Sequence, residues 1–237
     1  MINENKFEEI LRRNHSHGLN IALRHLIKEV KIYNNHLSGM KALDGSTRHL
    51  NTEKIQVGGG NHYLEGFLNI DAFPPADIIC DVREGLPLRD ECSDYIFSEH
   101  FLEHLDYPVS SKNFFNDCFR ALRSKGKIVV GVPDSSLIVN KYFNKDKAFY
   151  RKMIKEWYKN RDCLGHINTY IDLLNYHFRD QADNLKYNQH YWGYDYEKLK
   201  SLMENAGFVN VKKWKFDNKI ASPKRKWGSL YVISEKP

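Results

Sequence analysis

The chain lacks several features that would assign it to a membrane or to the cell exterior. Its 237 residues contain no apolar run that approaches the roughly 18 residues of a membrane-spanning helix. Residues 1–9 include four charged side chains, whereas a secretory signal peptide carries an apolar core near its start. The sequence also has no internal repeat and no low-complexity tract. These absences predict a cytoplasmic protein with no transmembrane segment.

Cysteine is scarce, and its spacing argues against two kinds of stabilising site. Successive cysteines lie 12, 26 and 45 residues apart, so the chain has no Cys-x-x-Cys pair. Neither a disulfide framework nor a cysteine zinc site is indicated, and we predict a reduced protein without a metal site. The four cysteines are Cys80, Cys92, Cys118 and Cys163.

The composition is that of a folded globular protein, but the charge is unevenly distributed. Hydrophobic residues make up 41% of the chain and charged residues 28%. The net charge of +6 divides into +3 for residues 1–50, −6 for 51–134 and +9 for 135–237. The acidic part suits a cationic ligand, and the basic part suits phosphate, nucleic acid or an anionic membrane surface. A solvated surface without a partner explains the division equally well.

The N-terminal fifth of the sequence has the pattern of helices followed by a linker. Apolar residues recur at three- and four-residue steps through residues 5–37, and Gly18 is predicted to separate two helices. Residues 39–52 are rich in Gly, Ser, Asp and Thr, as linkers are. We therefore divide the chain into an N-terminal helical extension, residues 1–50, and a main domain, residues 51–237.

Residues 53–134 alternate short apolar runs with a helical pattern, which is typical of parallel βαβ units. A helix is predicted over residues 101–123, where apolar residues again recur at helical spacing. Strands are predicted at residues 55–57, 67–70, 78–80, 95–97 and 127–132.

The last hundred residues begin with an aromatic, basic segment. Residues 135–195 hold eight tyrosines and many lysines without a strand pattern, and they are predicted to form a helical insertion over the sheet. A helix over 196–206 should end at Gly207, because glycine commonly terminates helices. Residues 208–216 and 228–234 are predicted to form a terminal pair of antiparallel strands.

Three predicted strands end in residues that suit a nucleotide-like ligand. Glycines at 58–60 follow the first strand and allow a ligand to approach the backbone closely. Asp71 ends the second strand, where a carboxylate can accept hydrogen bonds from both hydroxyls of a ribose. Asp81 and Val82 follow the third strand and could hold an adenine by its amino group and its face. Open α/β sheets bind ligands at this edge.

These segments resemble class I S-adenosylmethionine-dependent methyltransferases, and more narrowly small bacterial methyltransferases of surface-glycan biosynthesis. The resemblance covers about residues 53–134 and 188–235 and implies an α/β, Rossmann-like fold with a seven-stranded sheet. The N-terminal helical extension and the predicted helical, aromatic lid at about 135–195 lie outside it. The resemblance also implies S-adenosylmethionine as cofactor. The matching segments are I-Q-V-G-G-G at 55–60, L-N-I-D at 68–71, D-I-I-C-D at 77–81, D-Y-I-F-S-E-H-F-L-E-H-L at 94–105, R-A-L-R-S-K-G-K-I-V-V at 120–130 and E-N-A-G-F-V-N-V at 204–211. The implied cofactor-binding residues are Gly58, Gly59, Gly60, Asp71, Asp81, Val82 and Ser98.

Two departures from that family pattern stand out. Gln56 occupies the position where the family usually has an acidic residue that helps to hold the methionine amino group, so it could act only as a neutral acceptor. Only residues 61–66 separate the glycines from the second strand, whereas a parallel crossover normally needs about a dozen residues. We therefore expect the first helix to be reduced to a turn. The same short spacing disfavours a nicotinamide site.

The string His100-Phe-Leu-Glu103-His104 also matches the H-x-x-E-H pattern of a class of zinc proteases. We disfavour zinc hydrolysis, since such a site needs a further ligand and a different scaffold. Glu103 and His104 are expected to pack and form hydrogen bonds at the start of a helix. His100 lies just after the fourth strand, where the methyl acceptor should come, and it is the first candidate for a catalytic base.

The segment Q-H-Y-W-G-Y-D at 189–195 supplies the remaining candidates. His190 is the second candidate for the base, and Asp134, at the end of the fifth strand, could orient either histidine. Tyr191 and Tyr194 are predicted to contact the substrate, because aromatic walls suit sugars. A purely structural aromatic cluster explains the segment as well.

The combined prediction is an S-adenosylmethionine-dependent O-methyltransferase that acts on a sugar or glycan-precursor hydroxyl. The acceptor is expected to be a small molecule or a glycan, including phosphorylated ones, and no nucleic-acid partner is expected. The first alternative is an RNA or nucleobase methyltransferase, which the basic C-terminal region favours. Against it, no N-P-P-Y-type segment follows the fourth strand. The second alternative is a cofactor-binding scaffold without catalysis.

Overall fold

Seven strands form one sheet at the centre of the molecule. The computed structural model describes residues 3–13, 16–43, 52–158, 169–179 and 189–237. The strands are β1 (Lys54–Val57), β2 (Leu68–Asp71), β3 (Ile78–Ile79), β4 (Ser93–Glu99), β5 (Leu122–Pro133), β6 (Val209–Lys213) and β7 (Ser229–Glu235).

The strand order is β3-β2-β1-β4-β5-β7-β6. Strands β1 to β5 pair in parallel, and β7 lies antiparallel between β5 and β6. The parallel strands are buried on both faces, as their near-continuous apolar runs indicate. This arrangement confirms the predicted fold, a Rossmann-like sheet of the class I methyltransferase type. It also confirms the predicted terminal strand pair, and β5 begins five residues earlier than expected.

Helices α3 (Val109–Ala121) and α7 (Tyr196–Asn205) pack on one face of the sheet and enclose the main core. Phe114, Phe115 and Leu199 share one buried cluster with the strand residues Ile55 and Ile96. The other α-helices are α1 (Glu4–Leu11), α2 (His17–Leu43), α4 (Ser135–Phe143), α5 (Lys147–Met153) and α6 (Tyr170–Arg179). No helix among the described residues is both long and apolar enough to cross a membrane.

The connection between β1 and β2 is a loop, as the short spacing predicts. Residues 58–67, all of which the structure describes, contain turns and no helix. Gln56 fixes the loop: its Oε1 accepts from the Leu64 amide at 3.0 Å and its Nε2 donates to the His62 carbonyl at 2.6 Å. Leu64 is buried in a second cluster with Phe97, on the opposite face of the sheet from α3.

The helical extension differs from the sequence prediction at both of its boundaries. Gly18 lies inside α2, and the break between the first two helices comes before it. Helix α2 continues to Leu43, through part of the predicted linker, and residues 44–51 lie outside the described residues. Gly39 explains the extension: a Cβ there would lie 1.9 Å from the carbonyl oxygen of Ile79, so the helix backbone packs directly on the edge strand β3.

The predicted helix over 101–123 was too long at both ends. A short 3-10 turn at Leu102–His104 follows β4, and α3 begins only at Val109, directly after Pro108. Proline fits the start of a helix but lacks the amide that a helix interior needs. At the other end, Leu122 already belongs to β5.

Most of the described residues of the segment after β5 are helical, as predicted, but residues 189–195 form no helix. Helices α4, α5 and α6 build a small core of their own from Ile138, Tyr150, Met153 and Leu173. Residues 159–168 and 180–188 lie outside the described residues. Helix α7 ends before Gly207, whose φ of +101° is the conformation that the predicted glycine stop requires.

Candidate active site

The loop after β1 leaves open space for a ligand beside its backbone. Gly58 and Gly60 have positive φ angles of +70° and +53°, which few residues other than glycine adopt. A Cβ on Gly58 would lie 2.3 Å from the Phe101 ring, so a side chain there would collide with the segment after β4. A Cβ on Gly60 would meet no atom within 4 Å. The loop therefore closes against Phe101 on one side and is open at Gly60.

Asp71 lies beside that open position. Its Oδ2 accepts from the Gly60 amide at 2.9 Å, and its Oδ1 accepts from the Phe73 amide at 3.1 Å. A carboxylate has about four acceptor positions, so each oxygen can take a further hydrogen bond. The side chain is thus held in place by the backbone and still able to accept from two vicinal hydroxyls.

Asp81 is bound by protein groups. Its two oxygens accept from the Arg83 guanidinium at 2.7–3.0 Å, and Oδ1 also accepts from the Arg83 amide. Arg83 in turn donates to Glu29 of helix α2 at 2.7 Å. Hydrogen bonding to Asp81 and Glu29 raises the pKa of the guanidinium despite its partial burial. The Asp81 carboxylate, which is predicted to contact adenine, is therefore already hydrogen-bonded to Arg83.

The remaining predicted cofactor residues are less exposed than expected. Val82 is buried and starts a short 3-10 turn. Ser98 is completely buried in β4, in register with Val57 and Val130, and its hydroxyl has no hydrogen-bond partner among the described residues. Any contact of Ser98 with a cofactor would come from its backbone.

Residues 44–130, which contain the glycine loop, Asp71 and the end of β4, match the family model of a methyltransferase domain. This part of the chain is a methyltransferase domain, and the cofactor of such a domain is S-adenosylmethionine. The match spans 87 of the 237 residues, so it covers the cofactor half of the sheet and not the segment after β5.

Solved structures similar to this chain include those of three methyltransferases. A methyltransferase of Thermotoga maritima, described as a possible histamine N-methyltransferase, is 15% identical, with a TM-score of 0.45 and coverage of 90% of this chain and 98% of that one. A methyltransferase of Archaeoglobus fulgidus is 17% identical, with a TM-score of 0.44 and coverage of 99% and 100%. No curated protein matches the chain.

The third is phosphoethanolamine N-methyltransferase 2 of Haemonchus contortus, solved with phosphomonomethylethanolamine and S-adenosylhomocysteine. It is 11% identical, with a TM-score of 0.40 and coverage of 84% of this chain and 52% of that one. Likenesses at this level say nothing about the acceptor of the chain described here.

The residues of the methyltransferase domain fit the ribose of S-adenosylmethionine better than its methionine amino group or its adenine. The open space at Gly60 and the carboxylate of Asp71, anchored by the Gly60 amide, suit the ribose and the adjoining chain. Gln56, in contrast, uses both polar atoms on the loop, so it is a poor partner for the methionine amino group. At the adenine end, the Arg83 guanidinium donates a hydrogen bond to Asp81 at 2.7 Å.

His100 lies at the carboxyl end of β4, where the sequence places the methyl acceptor. Its backbone has a φ of +53°, and its amide donates to the Gly131 carbonyl of β5 at 2.8 Å. Its Nε2 is 2.7 Å from the Ser229 hydroxyl, and its Nδ1 is 3.5 Å from a Glu103 oxygen. Burial, followed by the positive charge of Arg225, lowers the pKa of His100 well below 6.5, which keeps the ring neutral at pH 7.

Three further histidines surround this position. The His104 and His190 rings have centroids 5.0 Å apart. His190 is oriented by the His177 carbonyl, 2.7 Å from its Nδ1, and the Tyr191 amide donates to the Glu103 carbonyl at 2.8 Å. Burial lowers the pKa of His177 to about 3, so this ring is neutral as well. The structure therefore brings His190 to the segment that begins at His100.

The other predicted site residues lie elsewhere. Asp134 caps α4, accepting from the Leu137 amide at 3.0 Å and the Ser136 hydroxyl at 2.9 Å, and these contacts direct its carboxylate to the helix. Tyr194 is 1% exposed and its hydroxyl meets Ser111, so this side chain belongs to the core and does not face an acceptor. Tyr191 is 49% exposed and remains available.

Two groups of contacting side chains at this edge of the sheet were not predicted from the sequence. Glu99, buried at the end of β4, accepts from the Tyr231 hydroxyl at 2.6 Å and from Arg225 at 3.2 Å, and so ties β4 to β7. Tyr107 and Trp192 stack with centroids 4.5 Å apart, and Trp192 is 43% exposed. No local signal identifies either group, because their partners lie 85 to 132 residues away in the chain.

Proposed function

We propose that the chain is an O-methyltransferase of the cytoplasm that acts on a hydroxyl of a sugar or glycan precursor. The observation that carries the proposal is the position of His100. It sits at the carboxyl end of β4, one residue from the Phe101 ring that closes the cofactor loop. A hydroxyl acceptor needs a group that takes its proton, and a neutral imidazole can do so.

When bound, S-adenosylmethionine supplies a methyl group on a sulfonium sulfur, which an attacking oxygen displaces in line. The chain's contribution is alignment and proton removal. The Gly58–Gly60 loop and Asp71 hold the cofactor. His100 lies on the acceptor side, and its ring is held between Ser229 and Glu103. Holding two reactants in line can contribute several kcal/mol to lowering the barrier. The hydroxyl proton passes to His100.

The surroundings favour a polar, anionic acceptor over a cationic amine. Residues 135–237, which supply Trp192 and Lys198, carry a net charge of +9, which favours phosphate over an ammonium group. The acidic residues 51–134 supply the glycine loop and Asp71 on the side of the cofactor, which is itself a cation. The exposed face of the Tyr107–Trp192 stack is the kind of aromatic surface on which a sugar ring packs, and Lys198 donates to the Tyr107 hydroxyl at 2.5 Å. A phosphorylated sugar combines both properties.

Methyl transfer from radiolabelled S-adenosylmethionine tests the proposal. The acceptors are a panel of nucleotide sugars and oligosaccharides, total RNA, and simple primary amines. We expect label in the sugar fraction in an alkali-stable ether. Label confined to RNA or to amines would overturn the sugar assignment.

The same methyl-transfer assay tests whether His100 is the catalytic base. His100→Gln should lower turnover by about 10²–10⁴-fold, with binding of S-adenosylhomocysteine unchanged. His17→Gln, an exposed histidine of α2, is the matched control and should turn over normally. Normal turnover by His100→Gln on the labelled sugar would remove His100 from the mechanism.

A further inference from the structure

Glu103, His104 and His190 form a side-chain cluster of the composition that binds transition metals. Each offers one ligand atom, and the three atoms lie within 4.8 Å of one another. The set is not the one that the H-x-x-E-H string suggests, because His100 directs its Nε2 to Ser229. The third ligand comes instead from the segment before α7, 86 residues further along the chain.

The hydrogen bonds of the two imidazoles leave the correct nitrogen for a metal. The Nδ1 of His104 is 3.1 Å from the Gln189 carbonyl, and the Nδ1 of His190 is 2.7 Å from the His177 carbonyl. A carbonyl only accepts, so each Nδ1 carries the proton and each Nε2 keeps its lone pair. Metal-bound histidines typically donate their second nitrogen to a carbonyl or a carboxylate in this way.

Backbone contacts hold the two segments together before any ion binds. The Tyr191 amide donates to the Glu103 carbonyl at 2.8 Å, and the His190 amide donates to the Arg179 carbonyl at 3.1 Å. Glu103 is 2% exposed, so its carboxylate is held in the protein interior beside the two rings. A buried carboxylate next to imidazoles is stabilised by a cation.

We propose that Glu103, His104 and His190 bind one divalent first-row transition-metal ion, with Zn²⁺ as the ion to test. Two imidazoles and one carboxylate suit such ions, whereas Mg²⁺ and Ca²⁺ prefer sites built from oxygen alone. With bonds of about 2.0–2.2 Å, the ion draws the three ligand atoms slightly closer together than they lie without it.

Three protein ligands leave one tetrahedral position open, as in catalytic zinc sites. His100 lies beside the cluster, with its Nδ1 3.5 Å from Glu103. An acceptor hydroxyl bound at the open position would lose its proton more easily, since a metal lowers the pKa of a bound oxygen acid. This role rests on the proposed function, but the binding of the ion does not.

Metal binding is measured on tag-free protein after treatment with chelator, without acceptor or cofactor. Zn²⁺ titration should give one ion per chain, and excess Mg²⁺ should not displace it. His104→Gln and His190→Gln should each weaken binding at least tenfold, and the double variant should abolish it. His17→Gln, on the exposed face of α2, should bind as the wild type does.

Co²⁺ substitution provides a measurement that does not depend on the variants folding. Wild-type protein should show the visible absorption bands of a four-coordinate ion, and Zn²⁺ should remove them. Absence of those bands, or Zn²⁺ binding that persists in the folded double variant, would overturn the proposal. Because no acceptor is present, failure of the sugar assay would leave this result unaffected.

Discussion

Gln56 shows how a single residue departs from its family pattern for a local reason. The residue must donate to the His62 carbonyl and accept from the Leu64 amide, and a carboxylate cannot do the first. Since the loop replaces a helix between β1 and β2, it needs this anchor. The sequence shows the glutamine and the short loop, but only the structure connects the two.

Asp71 is the residue on which cofactor affinity should depend most. Asp71→Ala removes the acceptor for two ribose hydroxyls, and hydrogen bonds to charged groups contribute about 1.5–3 kcal/mol each. We expect S-adenosylhomocysteine to bind at least tenfold more weakly in calorimetry. Asp94→Ala is the control, because that carboxylate pairs with Arg123 and is 56% exposed. Equal affinity of Asp71→Ala and wild type would remove Asp71 from the site.

At the scale of elements, the strands were predictable and the extent of α2 was not. Strands β1, β2, β3 and β5 contain short, largely apolar runs with a glycine or an aspartate at their ends or within the next two residues, so neighbouring residues suffice to identify them. The end of α2 depends on distant parts of the chain, because Gly39 packs on Ile79 of the edge strand β3, and Met40 and Leu43 pack against the main core. His36 shows the same dependence: its Nδ1 accepts from the Asp81 amide at 3.2 Å.

Two glycines of α2 provide a matched test of its docking. Gly39→Ala places a Cβ 1.9 Å from the Ile79 carbonyl oxygen, and overpacking of this kind costs about 1–3 kcal/mol. Gly18→Ala meets no atom within 4 Å and should be neutral or stabilising by up to about 1 kcal/mol. Urea denaturation measures both. Equal stability of the two variants would mean that α2 does not pack on β3 as described.

The contact between the histidines of the cluster could not be predicted from the sequence. His100, Glu103 and His104 are visible as one string, and His190 was identified separately as a candidate. Nothing in the sequence joins them, because the contact between His104 and Gln189 spans 85 residues. The orientation of each ring depends on backbone carbonyls, which no residue pattern records.

At the scale of the whole molecule, the chain also contains cavities away from the carboxyl edge of the sheet. One of about 810 Å³ lies between α2 and residues 84–89, and another of about 450 Å³ lies between α5 and α6. We place the cofactor in neither cavity. We expect it at the edge formed by the ends of β1, β2 and β4, where the glycine loop, Asp71 and His100 meet.

Hydrogen–deuterium exchange with and without S-adenosylhomocysteine tests this placement most directly. Peptides that cover residues 57–73 and 96–104 should exchange more slowly when the ligand is present, because it covers the amides of the glycine loop and the end of β4. Peptides over 84–89 and 147–154 should be unchanged. Protection confined to those two cavities, or none at saturating ligand, would contradict the account.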